Sequence, residues 1–96
     1  MELNKAYGMA LRHVRKQKGL TQEDFEPVTS RAYISRVEGG YHVPTLEKTV
    51  ELCTRLAVSP SLLLSLCFLI AEDSSSGTDL LAVLKSQLEE IGLPQR

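Results

Sequence analysis

The sequence predicts an all-α domain, and three observations carry that reading. Apolar residues recur at spacings of three and four along most of the 96 residues. Strong helix start and stop signals separate the runs. Aromatic residues make up only 5% of the chain and Trp is absent, so the apolar positions are mostly Leu, Val and Ala set against charged faces. With 43% hydrophobic residues, a chain of this length supports one small core and not two ordinary domains.

The first helix is expected from Leu3 or Asn4 to Lys18, with Tyr7, Ala10, Leu11 and Val14 on one stripe and Lys5, Arg12, Lys16 and Lys18 largely off it. Gly19 is its C-terminal cap and Leu20 the apolar contact that follows. Gly8 inside this helix costs about 1 kcal/mol relative to Ala, and close packing of another helix is one reason to retain it. The second helix opens at Thr21, which caps the first turn with Asp24 three residues on, and points Phe25 inward before Pro27 stops it near Glu26. The third opens at Thr29 or Ser30, carries Tyr33, Ile34 and Val37 at helical spacing, and ends at Gly39-Gly40. Two short helices joined by so brief a turn suggest a helix-turn-helix.

Such a motif gives its exposed positions a chemistry. Arg31, Ala32, Ser35 and Arg36 fall outward on the third helix and form a narrow face suited to a major groove. Gln22 stands at an exposed helix start, where free N–H groups and an amide side chain suit a phosphate.

After the loop Tyr41-His42-Val43-Pro44, Thr45 caps a fourth helix that runs to Leu56 or Ala57. Its expected core stripe is Leu46, Val50, Cys53 and Ala57, with Leu56 alongside. Ser59-Pro60 is a strong start for a fifth helix reaching about Ala71. That helix is apolar nearly all round, so another chain or the last helix should cover part of it. Residues 72–79 read as an acidic, Ser-rich linker, and Thr78 or Asp79 as the cap of a sixth helix, Leu80 to Ile91, stopped by Gly92, Leu93 and Pro94. Leu81, Leu84, Leu88 and Ile91 form a coiled-coil-like seam too short to hold alone. Together with Leu66, Leu69 and Ile70 they are the expected dimer contact, while packing of the sixth helix on its own fifth is the other arrangement. The organisation is thus a DNA-binding unit over 1–71, a linker over 72–79 and a C-terminal dimerisation helix over 80–96.

The net charge of −1 does not advertise a polyanion partner, but its distribution is uneven. Residues 1–58 carry nine Lys/Arg against seven Asp/Glu, whereas residues 59–96 carry two against five. The first part is suited to a polyanion and the second to protein. The longest apolar run, 62–71, is half of the roughly 20 residues a membrane span requires. No secretory pattern opens the chain, and a cytoplasmic location is expected. Cys53 and Cys67 form no CxxC pair and have no neighbouring His, so they read as small buried hydrophobes and no metal or cofactor is expected. His13 and His42 lack clustered nucleophiles or carboxylates, which argues against an enzyme.

Over Leu11 to Leu64 the chain resembles the Cro/repressor-type helix-turn-helix family, also called the xenobiotic-response-element type. The resemblance rests on LRHVRKQKGLTQEDF, SRAYISRVEGG and PTLEKTVELCTRLAVSPSLLL in that order and spacing. It implies a lambda-repressor-like five-helix domain with an additional C-terminal helix. It also implies a homodimeric regulator, a repressor in the leading reading, binding a palindromic operator on double-stranded DNA. An antitoxin or adaptor on the same scaffold is the alternative. By position, Arg31, Ala32, Ser35 and Arg36 resemble base readers. Gln22, with Thr21, Ser30, Tyr33, Tyr41 and His42, resembles the set that holds the DNA backbone. Arg15 and Glu38 match positions that often pair between the first and third helices. The chain departs from the family between Phe25 and Ser30, where Glu26-Pro27-Val28-Thr29 is about two residues short, so the second helix must shorten or the turn tighten.

Overall fold

In the computed structural model, which describes residues 1–73 and 77–95, helix α1 spans Leu3–Gln17 and buries Ala6, Tyr7, Ala10, Leu11 and Val14 along one stripe. Its last turn closes through Gly19 and Leu20, whose N–H groups reach back to Lys16 O and Arg15 O. A single 3-10 turn, Gln22–Phe25, follows in place of the α-helix expected over Thr21–Glu26. Pro27 explains the difference, because the residue before a proline is pushed out of the helical region. Glu26 is extended (φ −68°, ψ 144°), which leaves four residues for a tighter i to i+3 pattern. Asp24 still accepts the Thr21 N–H at 2.7 Å, and these bonds from Thr21 hold its carboxyl below the usual range. Phe25 is fully buried, a contribution of about 1.5 to 3 kcal/mol for a side chain of this class.

Helix α2, Arg31–Glu38, begins at Ser30, whose hydroxyl accepts the Tyr33 N–H at 3.1 Å. Ile34 and Val37 point into the core. The helix ends through Gly40 at φ +82°, a conformation that glycine adopts without strain, with Tyr41 N–H returning to Arg36 O. Helix α3 spans Leu46–Leu56 and α4 spans Pro60–Ala71, each capped by the expected Thr45 or Ser59 hydroxyl. Helix α5 spans Gly77–Ile91. It starts three residues before the expected Leu80, with Asp79 inside the first turn, where a carboxylate meets the positive end of the helix. Ser74, Ser75 and Ser76 of the expected linker lie outside the described residues. Among the described residues all regular structure is helical, and no single helix is long and apolar enough to cross a membrane.

The core gathers around α1, which packs mainly along α4 and also against α2. Leu52, Cys53 and Leu56 of α3 and Leu63 and Cys67 of α4 complete it. The face of α3 differs from the expected one: Leu46 and Val50 are 69% and 51% exposed and Ala57 is exposed, while Thr49 is buried. A polar residue occupies the core because its bonds are made. The Thr49 hydroxyl donates to Thr45 O at 2.9 Å and accepts from the Tyr7 hydroxyl at 2.7 Å. Satisfied in this way, Thr49 lets the helix turn its leucine outward. Burial also pushes the Tyr7 phenol up to about 12. Both cysteines are buried and free, with thiols raised by the same cause.

Gly8 faces the end of α2. A Cβ placed there would stand 2.5 Å from Val37 O and 2.7 Å from Glu38 O, both backbone atoms that cannot swing aside. Close packing of another helix is therefore why this helix interior carries a glycine. Helix propensity alone predicts that Gly8→Ala stabilises the protein by about 1 kcal/mol. The packing predicts the opposite sign, a loss of about 1 to 3 kcal/mol, to be read from the midpoint of urea unfolding.

Candidate nucleic-acid interface

Helix α2 owes its placement to a polar brace. Arg15 of α1 and Glu38 at the last turn of α2 form a two-pronged ion pair, Nε to Oε2 at 2.7 Å and Nη2 to Oε1 at 2.9 Å. Their side chains are 10% and 5% exposed. The third donor of Arg15, Nη1, reaches Leu20 O at 2.9 Å, so the guanidinium also fixes the corner that leads into the 3-10 turn. The bonds to Glu38 raise the pKa of Arg15, holding its charge more firmly. Planar, forked pairing of this kind resists rotation in a way a lysine could not.

The 3-10 turn grips α2 at both ends. Gln22 donates its side-chain amide to Glu38 Oε1 at 3.2 Å, at the C-terminal end. Glu23 meets Arg31 at the N-terminal end, Oε1 to Nε at 3.2 Å. Gln22 thus serves the brace, with one amide hydrogen left over. The Thr21 N–H and hydroxyl both belong to the capping box with Asp24, which fixes the start of the turn. Arg12, Arg15, Gln22, Ser35, Glu38 and Gly39 line a polar hollow between α1, the turn and α2.

The four outward residues of α2 emerge together. Arg31, Ala32, Ser35 and Arg36 are all exposed, opposite the buried Ile34 and Val37. Among the described residues Arg36 makes no ion pair or hydrogen bond through its side chain, whereas Arg31 makes the pair with Glu23. Ser30 lies at the start of this face, its hydroxyl engaged as the cap. Tyr33 is half-buried on the flank: its ring meets His42 edge-on at 5.3 Å between centroids and lies 5.3 Å from Lys48 Nζ. Lys48 also donates to Val28 O at 3.2 Å, which ties α3 to the turn before α2. Tyr41 is 82% exposed beyond the helix end, with its ring over Gly39.

Three of these contributors escaped sequence reasoning: Glu23 as the partner of Arg31, Lys48 beside Tyr33, and Arg12 at the hollow. Each acts across elements, and no local spacing marks such contacts. Arg12 left a trace as a cation off the apolar stripe of α1, and Glu23 as an exposed residue beside Gln22, but neither pattern names the contact.

The brace makes a direct prediction. Arg15→Ala or Glu38→Ala leaves a buried charge without its partner and lowers stability by about 3 to 5 kcal/mol. Replacing both together, Arg15→Met with Glu38→Leu, costs far less than the sum of the single losses. Urea unfolding of the alanine variants measures the first quantity, and a cycle of Arg15→Met, Glu38→Leu and their combination measures the second.

A family model described as a helix-turn-helix domain matches residues 6–66, a span that holds most of α1, the turn, α2, α3 and about half of α4. The uncharacterized HTH-type transcriptional regulator y4dJ of Sinorhizobium fredii is 38% identical over 61 residues, which cover 62% of this chain and 79% of that protein. Among solved structures, the restriction-modification controller protein C.AhdI from Aeromonas hydrophila superposes with a TM-score of 0.58 at 33% identity, over 62% of this chain and 92% of the other. The clp gene regulator ClgR from Corynebacterium glutamicum reaches 0.66 at 27% identity, over 95% and 90%. The chain belongs to the helix-turn-helix family of transcriptional regulators, of the Cro/repressor or xenobiotic-response-element type, and not to an enzyme family.

Proposed function

We propose that this chain is a homodimeric repressor, working in the cytoplasm, that lays α2 in the major groove of a palindromic operator. The observation that carries the reading is the outward set Arg31, Ala32, Ser35 and Arg36 on a helix braced at both ends. Arg31 and Arg36 are the principal base readers, since an arginine can offer guanine two parallel N–H groups. Ala32 leaves room for a thymine methyl, and Ser35 adds a short hydrogen-bonding group. Thr21, Ser30, Tyr33, Tyr41, His42 and the spare amide hydrogen of Gln22 would hold the phosphate backbone and set register without reading sequence.

The dimer reading rests on exposed apolar surface. Leu81, Leu84, Leu88 and Ile91 on α5 are 67%, 39%, 51% and 78% exposed. Leu66, Leu69 and Ile70 of α4 are only half-buried. The chain exposes 6659 Å², against about 5500 Å² for a compact monomer of 10.6 kDa. A surplus of about 1200 Å² exceeds the roughly 800 Å² that each partner buries in a standard interface. A second copy of the same face is the self-complementary solution, and it would place two recognition helices about 34 to 36 Å apart, one helical turn of DNA. C.AhdI and ClgR are named as a controller and a regulator, which supports a regulatory role here.

Selecting bound sequences from a random duplex pool tests the proposal. A palindrome with half-sites one turn apart is expected, and the absence of any consensus would favour the antitoxin or adaptor reading instead. Arg31→Ala and Arg36→Ala should each remove about 1 to 3 kcal/mol of discrimination at one base position per half-site. Leu84→Glu with Leu88→Glu should yield a monomer by sedimentation, with the helical signal of residues 1–71 intact and operator affinity lost.

A further inference from the structure

We propose that Glu23 sets the base preference of Arg31 by holding its guanidinium, without itself touching DNA. The inference rests on the reading that α2 reads bases, and adds a residue outside α2 to the specificity apparatus. Glu23 lies on the 3-10 turn and Arg31 is the first residue of α2. The turn at Pro27 folds the chain so that Glu23 Oε1 stands 3.2 Å from Arg31 Nε.

Which nitrogen is taken decides the consequence. A guanidinium carries five N–H groups in a rigid plane, one on Nε and four on the two Nη atoms. Glu23 comes nearest at Nε, and among the described residues neither Nη atom makes a hydrogen bond, so the edge carrying both Nη atoms can turn to a ligand; two parallel N–H groups are what guanine O6 and N7 accept. The tether also restricts a side chain that otherwise samples many rotamers, so less freedom is lost when the base contact forms. Had Glu23 gripped the Nη edge, the same ion pair would block the readout.

Stability is a poor explanation for the pair. The two side chains are 65% and 69% exposed, and ion pairs so open to water contribute little to folding. In a groove emptied of water the same pair strengthens, because the screening is gone. A carboxylate this close to the recognition face also repels phosphate, which penalises binding at any site where Arg31 finds no guanine to offset it. Both effects act on the ratio between right and wrong sequences more than on affinity itself.

The test uses the consensus duplex from the selection and a second duplex in which the guanine assigned to Arg31, by loss of preference in Arg31→Ala, is replaced by adenine. Affinities are measured for the wild type, Glu23→Ala, Glu23→Gln, Arg31→Ala and the Glu23→Ala/Arg31→Ala double variant, with urea midpoints alongside. Glu23→Ala is expected to lower the guanine preference about tenfold and to strengthen binding to unrelated DNA. Glu23→Gln, which keeps a carbonyl oxygen beside Nε without the charge, should retain part of the preference. On the Arg31→Ala background Glu23→Ala should cause no further loss of preference, and the urea midpoints should not move. A guanine preference that survives Glu23→Ala overturns this proposal alone. A wild-type chain without any base preference overturns the base-reading function, and this proposal falls with it.

Discussion

The forked ion pair between Arg15 and Glu38 is the constraint on which the rest of this structure depends. It joins the end of α1 to the end of α2 in a nearly dry setting, where each charge is tolerable only because the other is present. The same guanidinium reaches the Leu20 carbonyl and the same carboxylate receives Gln22. One pair thereby fixes four segments: α1, the corner after it, the 3-10 turn and α2. Gly8 serves the same junction from the other side, letting α1 close on the carbonyls of residues 37 and 38.

Seen from that junction, the chain divides its work. Residues on α1, α3 and α4 that face inward build a small core, and the braced turn and α2 present a stiff polar edge. The C-terminal part does the reverse and leaves its leucines in water. A monomer of this shape is extended, with a radius of gyration of 14.4 Å against about 12.5 Å for a compact chain of its length. The exposed apolar surface and the rigid polar edge thus reside in separate pieces of the sequence.

Much of this was legible in the residues. Caps at Ser30, Thr45 and Ser59, the proline stop at 27 and the glycine ends located the helices, because each rests on chemistry confined to a few neighbours. The outward face of α2 followed from its spacing. Two features did not. The face of α3 was read from hydrophobicity alone, which favoured Leu46 and Val50 over Thr49. Thr49 becomes a core residue only through Tyr7, 42 positions away, and no local pattern encodes that partner. The contacts of Glu23 with Arg31 and of Lys48 with Tyr33 and Val28 are hidden for the same reason, since they appear only once the turn has brought separate elements together.

The two cysteines carry a practical consequence. Cys53 and Cys67 are buried in the core, and burial holds both thiols in their neutral, unreactive form. They behave as apolar filler, so a maleimide probe added to the folded chain would find no native target. A single cysteine introduced on the exposed face of α2 or α5 would then report alone, allowing a fluorescent or spin label to be placed without stripping the sulfur from the core.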